Sequence, residues 1–411
     1  MPIGQSIGLS IGLSIGLSIG LSIGLAATAT TTDCLANPPT APTPSLDARY
    51  AAAADYSAQH SGRAMLVMLD GKVVFERYQA KWQAAYPHPL ASGTKSFTGV
   101  LAMCAVQDGL LTLDERACET LTEWKDDPDK SRITIRHLLA LSSGLDPADE
   151  VLGTRGGGRI LGAGRNTLKD QSRGRDEADD KFAAALTVKM NHKPGEKFEY
   201  GPSHFFAFGE LLQRKLERSS VPTKSVMGYM QARIFDPIGL KVARFGKDRA
   251  GNPNLPGGCM LTAREWVKFG ELVRLNGAWR QPDGTLKQII QADLLAECFK
   301  PSLANPAYGL TWWLLVGDQE ATAVADGPVD RKAGSIIEKI KARALAAEIQ
   351  GLTGPDGKPI TCFMAAGKGK QRLFVLPEQK MVIVRFAEDT RDGAKFSNAE
   401  FLAHLLGIGL E

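Results

Sequence analysis

The chain lacks the residue groupings that would make it a metal protein or a disulfide scaffold. Its six Cys stand apart at 34, 104, 118, 259, 298 and 362, with no C-x-x-C and no Cys/His cluster at zinc spacing. Charge of one sign is not in excess either: 49 Lys and Arg face 45 Asp and Glu, a balance that leaves no basic footprint for nucleic acid. Before Asp33 charge is missing altogether. The rest is ordinary globular composition, 44% hydrophobic and 23% charged over 411 residues, enough for a sizeable core and against disorder as the main state.

Residues 1–32 are low in complexity, with Ile-Gly-Leu-Ser repeating almost unchanged from Ile7 to Leu25. The apolar run followed by Ala27-Thr28-Ala29 has the look of a signal peptide's h-region and cleavage site, although no Lys or Arg precedes it. Export to the periplasm or medium is therefore expected, and a cytoplasmic protein if the repeat is no signal. A retained membrane helix fits less well, because Gly or Ser at every second position dilutes the span, so no stable membrane insertion is expected after processing. Residues 33–45, with four Pro between Asn37 and Ser45, read as a linker. Gly8-Leu9-Ser10-Ile11-Gly12 matches the G-x-S-x-G elbow by letter, but a tetrapeptide repeat supplies neither the strand before it nor the helix after it.

The body, 46–411, reads as one α+β domain. Two strand-like runs from Ala64 to Tyr78 flank the turn dipeptide Asp70-Gly71. From about Ser92 to Asp108 apolar residues recur at helical spacing and Gly109 closes the run. Helical signals dominate between Ile133 and about Leu240, interrupted by a Gly/Arg/Asp-rich loop from Asp146 to Asp180. Ile360–Ala366, Gln371–Leu376 and Met381–Phe386 read as strands, and Asn398–Leu406 as a closing helix. The expected fold is an antiparallel sheet formed from N- and C-terminal segments (46–110 and about 255–411), flanked by helices, with a mostly helical middle (about 111–254). A cleft is expected where the two parts meet.

The segment with most chemistry in it is Ala91-Ser92-Gly93-Thr94-Lys95, an S-x-x-K at a helix start. Three-residue spacing stacks Ser92 and Lys95 on one face, so the amine reaches the hydroxyl one turn away. A Ser hydroxyl attacks well only when a neighbouring base takes its proton, and Lys is a base only when neutral. Bringing a Lys from its usual pKa of about 10.4 to near 7 requires roughly 4 to 5 kcal/mol of differential stabilisation, supplied by burial or a second cation. Phe97, Val100, Leu101 and Met103 are candidates for that burial. An N-capping Ser followed by an unrelated Lys would give the same letters.

Other segments in order separate the two readings. After Ser92-to-Lys95 come Ile133-Thr134-Ile135-Arg136-His137-Leu138-Leu139 with Ser142-Ser143-Gly144-Leu145, then Lys193-Pro194-Gly195-Glu196-Lys197-Phe198-Glu199-Tyr200. Pro256-Gly257-Gly258, Tyr308-Gly309-Leu310-Thr311-Trp312-Trp313 and Gly367-Lys368-Gly369-Lys370-Gln371 follow. From about Leu46 to the end this set resembles the serine β-lactamase and penicillin-binding family in its class C-like branch. The resemblance implies acyl transfer with Ser92 as nucleophile and with Lys95 and Tyr200, the latter at the first position of the family's Y-x-N motif, moving its proton. It also implies an oxyanion hole made by the Ser92 N–H and one from the strand after Gly369, that of Lys370 or its neighbour Gln371. Two departures stand out: Pro202 replaces the Asn of Y-x-N, and Gly367-Lys368-Gly369 replaces the K-T-G motif. Both fall on groups the family uses for a β-lactam's amide and carboxylate, so an ester or small amide is favoured as substrate.

Further candidates for the substrate cleft are Ser203 and His204, close in sequence to Tyr200, and Trp312 of the Trp312-Trp313 pair, of which a strand can turn only one ring toward a site. Lys368 or Lys370 is a candidate to attract a substrate carboxylate, the alternative being that both are solvated turn residues. His137 lies in an apolar helical run and reads as a core residue. Asp318 to Pro359 is a long insertion with a helical run from Ile336 to Ile349, a lid or an edge ornament. The chemistry needs no metal and no cofactor motif is visible. A carboxylesterase-like or amide-cleaving serine hydrolase is the first reading, a β-lactamase or D,D-peptidase the second, and a non-catalytic binding protein the third.

Overall fold

The structure, a computed structural model, describes residues 45–79, 81–147, 152, 178–315, 352–354, 358–390 and 396–409. The repeat read as a signal peptide, the linker as far as Pro44, most of the loop from Asp146 to Asp180 and most of the 318–359 insertion lie outside the described residues.

The described chain opens with α1 (Leu46–Gln59), whose first turn is capped by the Ser45 hydroxyl accepting from the Ala48 N–H. β1 (Gly62–Leu69) and β2 (Lys72–Tyr78) form a hairpin. Its turn residues Asp70 and Gly71 have φ of 47° and 78°, the left-handed pair that matches strand twist in a tight hairpin. β3 (His88–Pro89) leads into a 3-10 turn, Ala91–Thr94, and then into α2 (Lys95–Gln107). The predicted helix start at Ser92 is thus a tighter turn, and the α-helix proper begins at Lys95. The helical region carries α3 (Ile135–Leu139), α4 (Lys181–Ala185), α5 (Ser203–Arg218) and α6 (Val226–Met230). Next come β4 (Arg244–Phe245), β5 (Cys259–Leu261), α7 (Ala263–Arg274), β6 (Ala278–Arg280), β7 (Leu286–Gln288) and α8 (Ala292–Ala296). β8 (Trp313–Leu315), β9 (Cys362–Gly367), β10 (Gln371–Leu376), β11 (Met381–Ala387) and α9 (Asn398–Leu406) complete the fold.

Strands from both ends of the chain make one antiparallel sheet in the order β2-β1-β11-β10-β9-β8. This is the α+β arrangement expected. Residues of β11 alternate between two helical layers, as strand geometry requires. On one face α7 comes so close that a Cβ at Gly270 would stand 2.3 Å from a Val382 methyl. On the other face Arg385 reaches α1, donating from Nε to Ser57 Oγ at 2.9 Å. α9 lies along α1 and is tied to it where Arg49 Nη1 donates to the Leu406 carbonyl at 2.7 Å. Among the described residues no helix is long and apolar enough to cross a membrane.

α2 is buried on nearly every side, which is why its sequence after Lys95 is almost wholly apolar and small. Its tightest contact is with the turn before β8. There the Gly99 N–H donates to Thr311 Oγ1 at 3.1 Å, and a Cβ on Gly99 would lie 2.4 Å from the Leu310 carbonyl oxygen. Gly99→Ala should therefore push α2 off this turn and destabilise the fold by about 1–3 kcal/mol, the usual cost of overpacking a rigid contact. Urea denaturation would show a lower midpoint with the slope unchanged, and an unchanged midpoint would contradict the packing described.

Candidate active site

Ser92 sits on a turn held out of its relaxed conformation. Ala91 before it has φ of 49°, a left-handed setting that costs a non-Gly residue about 1–3 kcal/mol. Four hydrogen bonds hold that setting. The Leu90 N–H donates to the Cys259 carbonyl at 2.9 Å and the Gly93 N–H to the Leu90 carbonyl at 3.0 Å. Thr94 Oγ1 donates to the Ala91 carbonyl at 2.7 Å and accepts from the Cys259 N–H at 3.2 Å. The turn is thereby locked to β5, and the Ser92 side chain remains partly exposed while its neighbours are buried.

Lys95 is 5% exposed. Its Nζ donates to Ser92 Oγ at 3.1 Å and to the Pro256 carbonyl at 2.8 Å. The same Nζ stands 4.9 Å from the ring centre of Tyr200 and 5.2 Å from that of Phe205, so aromatic faces and not water surround much of the amine. The helical spacing thus places hydroxyl and amine within reach, and α5 with the segment before it brings in the phenol ring from more than a hundred residues away. Tyr200 is stacked on Trp313 (centroids 5.8 Å apart, planes 28° apart) and meets Tyr308 edge-on at 6.4 Å. Tyr308 is fully buried, and its phenol is pushed well up, first by desolvation and then by Tyr200.

The end of β9 lies against the nucleophile turn. A Cβ on Gly367 would be 2.0 Å from the Leu90 carbonyl oxygen, so only Gly fits there. Beyond it, Gly369 and Lys370 turn the chain into β10 with φ of 76° and 59°. The Lys370 carbonyl faces the back of the sheet, where it accepts from Arg385 Nη1 at 2.8 Å. Lys368 Nζ lies 3.0 Å from Asp389 Oδ2.

Four residues expected in the cleft are buried. Gln371 is 3% exposed and spends its amide on β11, accepting from the Ala387 N–H at 2.9 Å and donating to the Ala387 carbonyl at 2.7 Å. His204 is wholly buried, with Nδ1 on Ser143 Oγ and Nε2 on the Glu199 carbonyl, both at 2.8 Å. Trp312 faces the core, stacked 5.7 Å from Phe269 and edge-on 5.5 Å from Phe299. It is Trp313, the other ring of the pair, that supports Tyr200. Ser203 is also fully buried, and its Oγ has no hydrogen-bond partner among the described residues. Sequence reasoning missed the Pro256 carbonyl, Phe205, and the left-handed Ala91; Phe205 alone could have been found, as an aromatic five residues after Tyr200 in the first turn of an amphipathic helix.

A model of the Beta-lactamase family matches residues 47–407. The chain belongs to that family, a family of serine hydrolases. It is 26% identical over 194 residues to Protein flp of Staphylococcus aureus (strain MW2), covering 45% of this chain and 34% of that one. Over 176 residues it is 30% identical to the Lovastatin esterase of Penicillium rubens, covering 38% of this chain and 39% of that one. The matched stretch thus spans little more than a third of these curated relatives. Among solved structures, a D-stereospecific amidohydrolase from Streptomyces sp. shares the fold with a TM-score of 0.59 at 14% identity, covering 89% of this chain and 100% of that one.

Burial also sets the protonation of two histidines around the site. It lowers His204, which has the Lys95 charge nearby as a further opposing influence, to about 4, and it lowers His88 on β3 to about 4 as well. The unfolded chain protonates such residues near 6.5, so between about pH 6.5 and 4 it binds protons that the folded state refuses. Stability should fall as pH drops through that window and show no dependence on these groups above it, each contributing at most about 3 kcal/mol. Urea unfolding from pH 7 to 4.5 would reveal the slope, and His88→Asn should flatten it; no slope above pH 5 would contradict the assignment.

Proposed function

We propose that this chain is a serine hydrolase that cleaves an ester or small amide through an acyl-enzyme. The observation that carries the reading is the buried Lys95 amine, 3.1 Å from a hydroxyl that remains accessible on a strained turn. Burial disfavours a charged ammonium. In its uncharged form Lys95 takes the Ser92 proton as Oγ forms its bond to the substrate carbonyl carbon. The proton passes to the leaving alkoxide or amine as its bond to that carbon breaks, with the Tyr200 phenol, above the Lys95 amine, as the second member of the relay. Water then attacks the acyl carbon, gives a proton to the relay and releases the acid with Ser92 restored.

The oxyanion would be held by the Ser92 N–H and an N–H at the end of β9. The close packing of Gly367 on Leu90, two residues before Ser92, favours the N–H of the next residue, Lys368, for this donor over those of Lys370 and Gln371. Pro202 offers no amide or hydroxyl, which supports an ester or small amide over a β-lactam. The esterase and amidohydrolase among the similar proteins agree with that preference.

A fluorophosphonate probe should label Ser92, and Ser92→Ala should lose both label and turnover of p-nitrophenyl esters. Lys95→Ala and Tyr200→Phe should each lower kcat/KM by roughly 10²–10⁴-fold, the range of a lost general acid or base. Strong turnover of nitrocefin with negligible esterase activity would sink the ester reading in favour of a lactamase. Failure to label at all would favour a binding protein.

A further inference from the structure

The turn between β9 and β10 carries an ion pair at the rim of the Ser92 site. Lys368 follows Gly367, the residue packed on Leu90 two positions before Ser92. Its ammonium is 3.0 Å from the Asp389 carboxylate, and the two side chains are 58% and 53% exposed. Asp389 is held there by more than the flexible Lys. Just before it, Ala387 is gripped at both N–H and carbonyl by the Gln371 amide, and the same carbonyl contacts His88 Nε2 at 3.1 Å. A Cβ on Gly369 would lie 3.3 Å from both the backbone N and the Cβ of Asp389. The Asp389 backbone and Cβ are therefore held beside the turn, with the carboxylate within reach of Lys368. Its neighbour Glu388 is already paired with Arg63 at 2.8 Å.

We propose that Asp389 is a specificity-determining residue: it neutralises Lys368 at the rim and so disfavours esters and amides that carry their own carboxylate, leaving neutral acyl compounds as the preferred substrates. The proposal rests on the hydrolase reading above. A substrate carboxylate arriving at Lys368 must displace Asp389 or lie beside it, and either course weakens its binding. At an exposed rim water screens both charges, so the effect should be about three- to ten-fold and not several orders of magnitude.

The test compares p-nitrophenyl butyrate, which is neutral, with the p-nitrophenyl hemisuccinate anion in the full chain and in Asp389→Asn. The variant should raise kcat/KM for the hemisuccinate by about three- to ten-fold, mainly through KM, and leave the butyrate within about two-fold. At about 1 M salt, where the Debye length is about 3 Å, the gain should largely vanish. Adding Lys368→Ala to Asp389→Asn should return the hemisuccinate-to-butyrate ratio to its starting value. Parallel changes on both substrates, or an unchanged hemisuccinate, would overturn this proposal while turnover of the butyrate leaves the hydrolase reading standing. No turnover of the butyrate by the unaltered chain would overturn that reading, and the proposal with it.

Discussion

The structure of the site depends on one contact, the hydrogen bond from a buried amine to a hydroxyl on a strained turn. Lys95 lies 5% exposed with its Nζ donating to the Pro256 carbonyl and Ser92 Oγ. An amine buried without such acceptors would cost several kcal/mol. The strain at Ala91 belongs to the same device. The left-handed step lets the chain leave β3 and present Ser92 outward before α2 begins, and the bonds among Leu90, Thr94 and Cys259 keep it from relaxing. Accessibility of the hydroxyl and burial of the amine are thus two results of one turn.

The opposite wall is held from behind the sheet. Arg385 is fully buried on β11 and opposite Arg372 on β10, a like-charge pair within a sheet. Burial first and the Arg372 charge second lower Arg385 to about 9, still high enough for a guanidinium at neutral pH. Its acceptors are the Ser57 hydroxyl, the Ser57 and His60 carbonyls where α1 ends, and the Lys370 carbonyl, and its plane lies 3.8 Å from the Phe396 ring centre. The negative end of a helix and an aromatic face take the role that a carboxylate would have. The β9–β10 turn is therefore anchored to α1, and Gly367 is set against the nucleophile turn by parts of the chain more than 300 residues apart in sequence.

Much of this was legible before the structure. Alternation and turn residues located β9, β10 and β11 nearly to the residue, because strands buried on both faces leave continuous apolar runs and end where Gly or Pro breaks them. S-x-x-K at a helix start was enough to pair Ser92 with Lys95. α1 escaped notice because its Ala-rich sequence has only a weak apolar stripe. The Pro256 carbonyl could not be read, since every residue has a carbonyl and no side chain marks the one that meets an amine. The parity of a strand says that one of Trp312 and Trp313 faces Tyr200 but not which, and the choice of Trp312 was wrong. Gln371 and His204 were misplaced for a related reason: a polar side chain near a site by sequence was taken by backbone groups needing partners, Ala387 in one case and Glu199 in the other.

The fate of His204 bears on the proton relay. A histidine so close in sequence to Tyr200 invites a Ser–His mechanism, yet both of its nitrogens are occupied and it is sealed from solvent. Its lowered pKa keeps it uncharged at neutral pH. A cationic imidazole at that position would repel a charged Lys95, and a neutral one leaves the amine's protonation to burial and to its own acceptors. Among the described residues, Lys95 meets Ser92 through a direct hydrogen bond, and the Tyr200 ring lies over the amine. Stacking on Trp313 sets that ring's plane over the amine. In the proposed relay the buried histidine takes no part, and Lys95 and Tyr200 carry the proton.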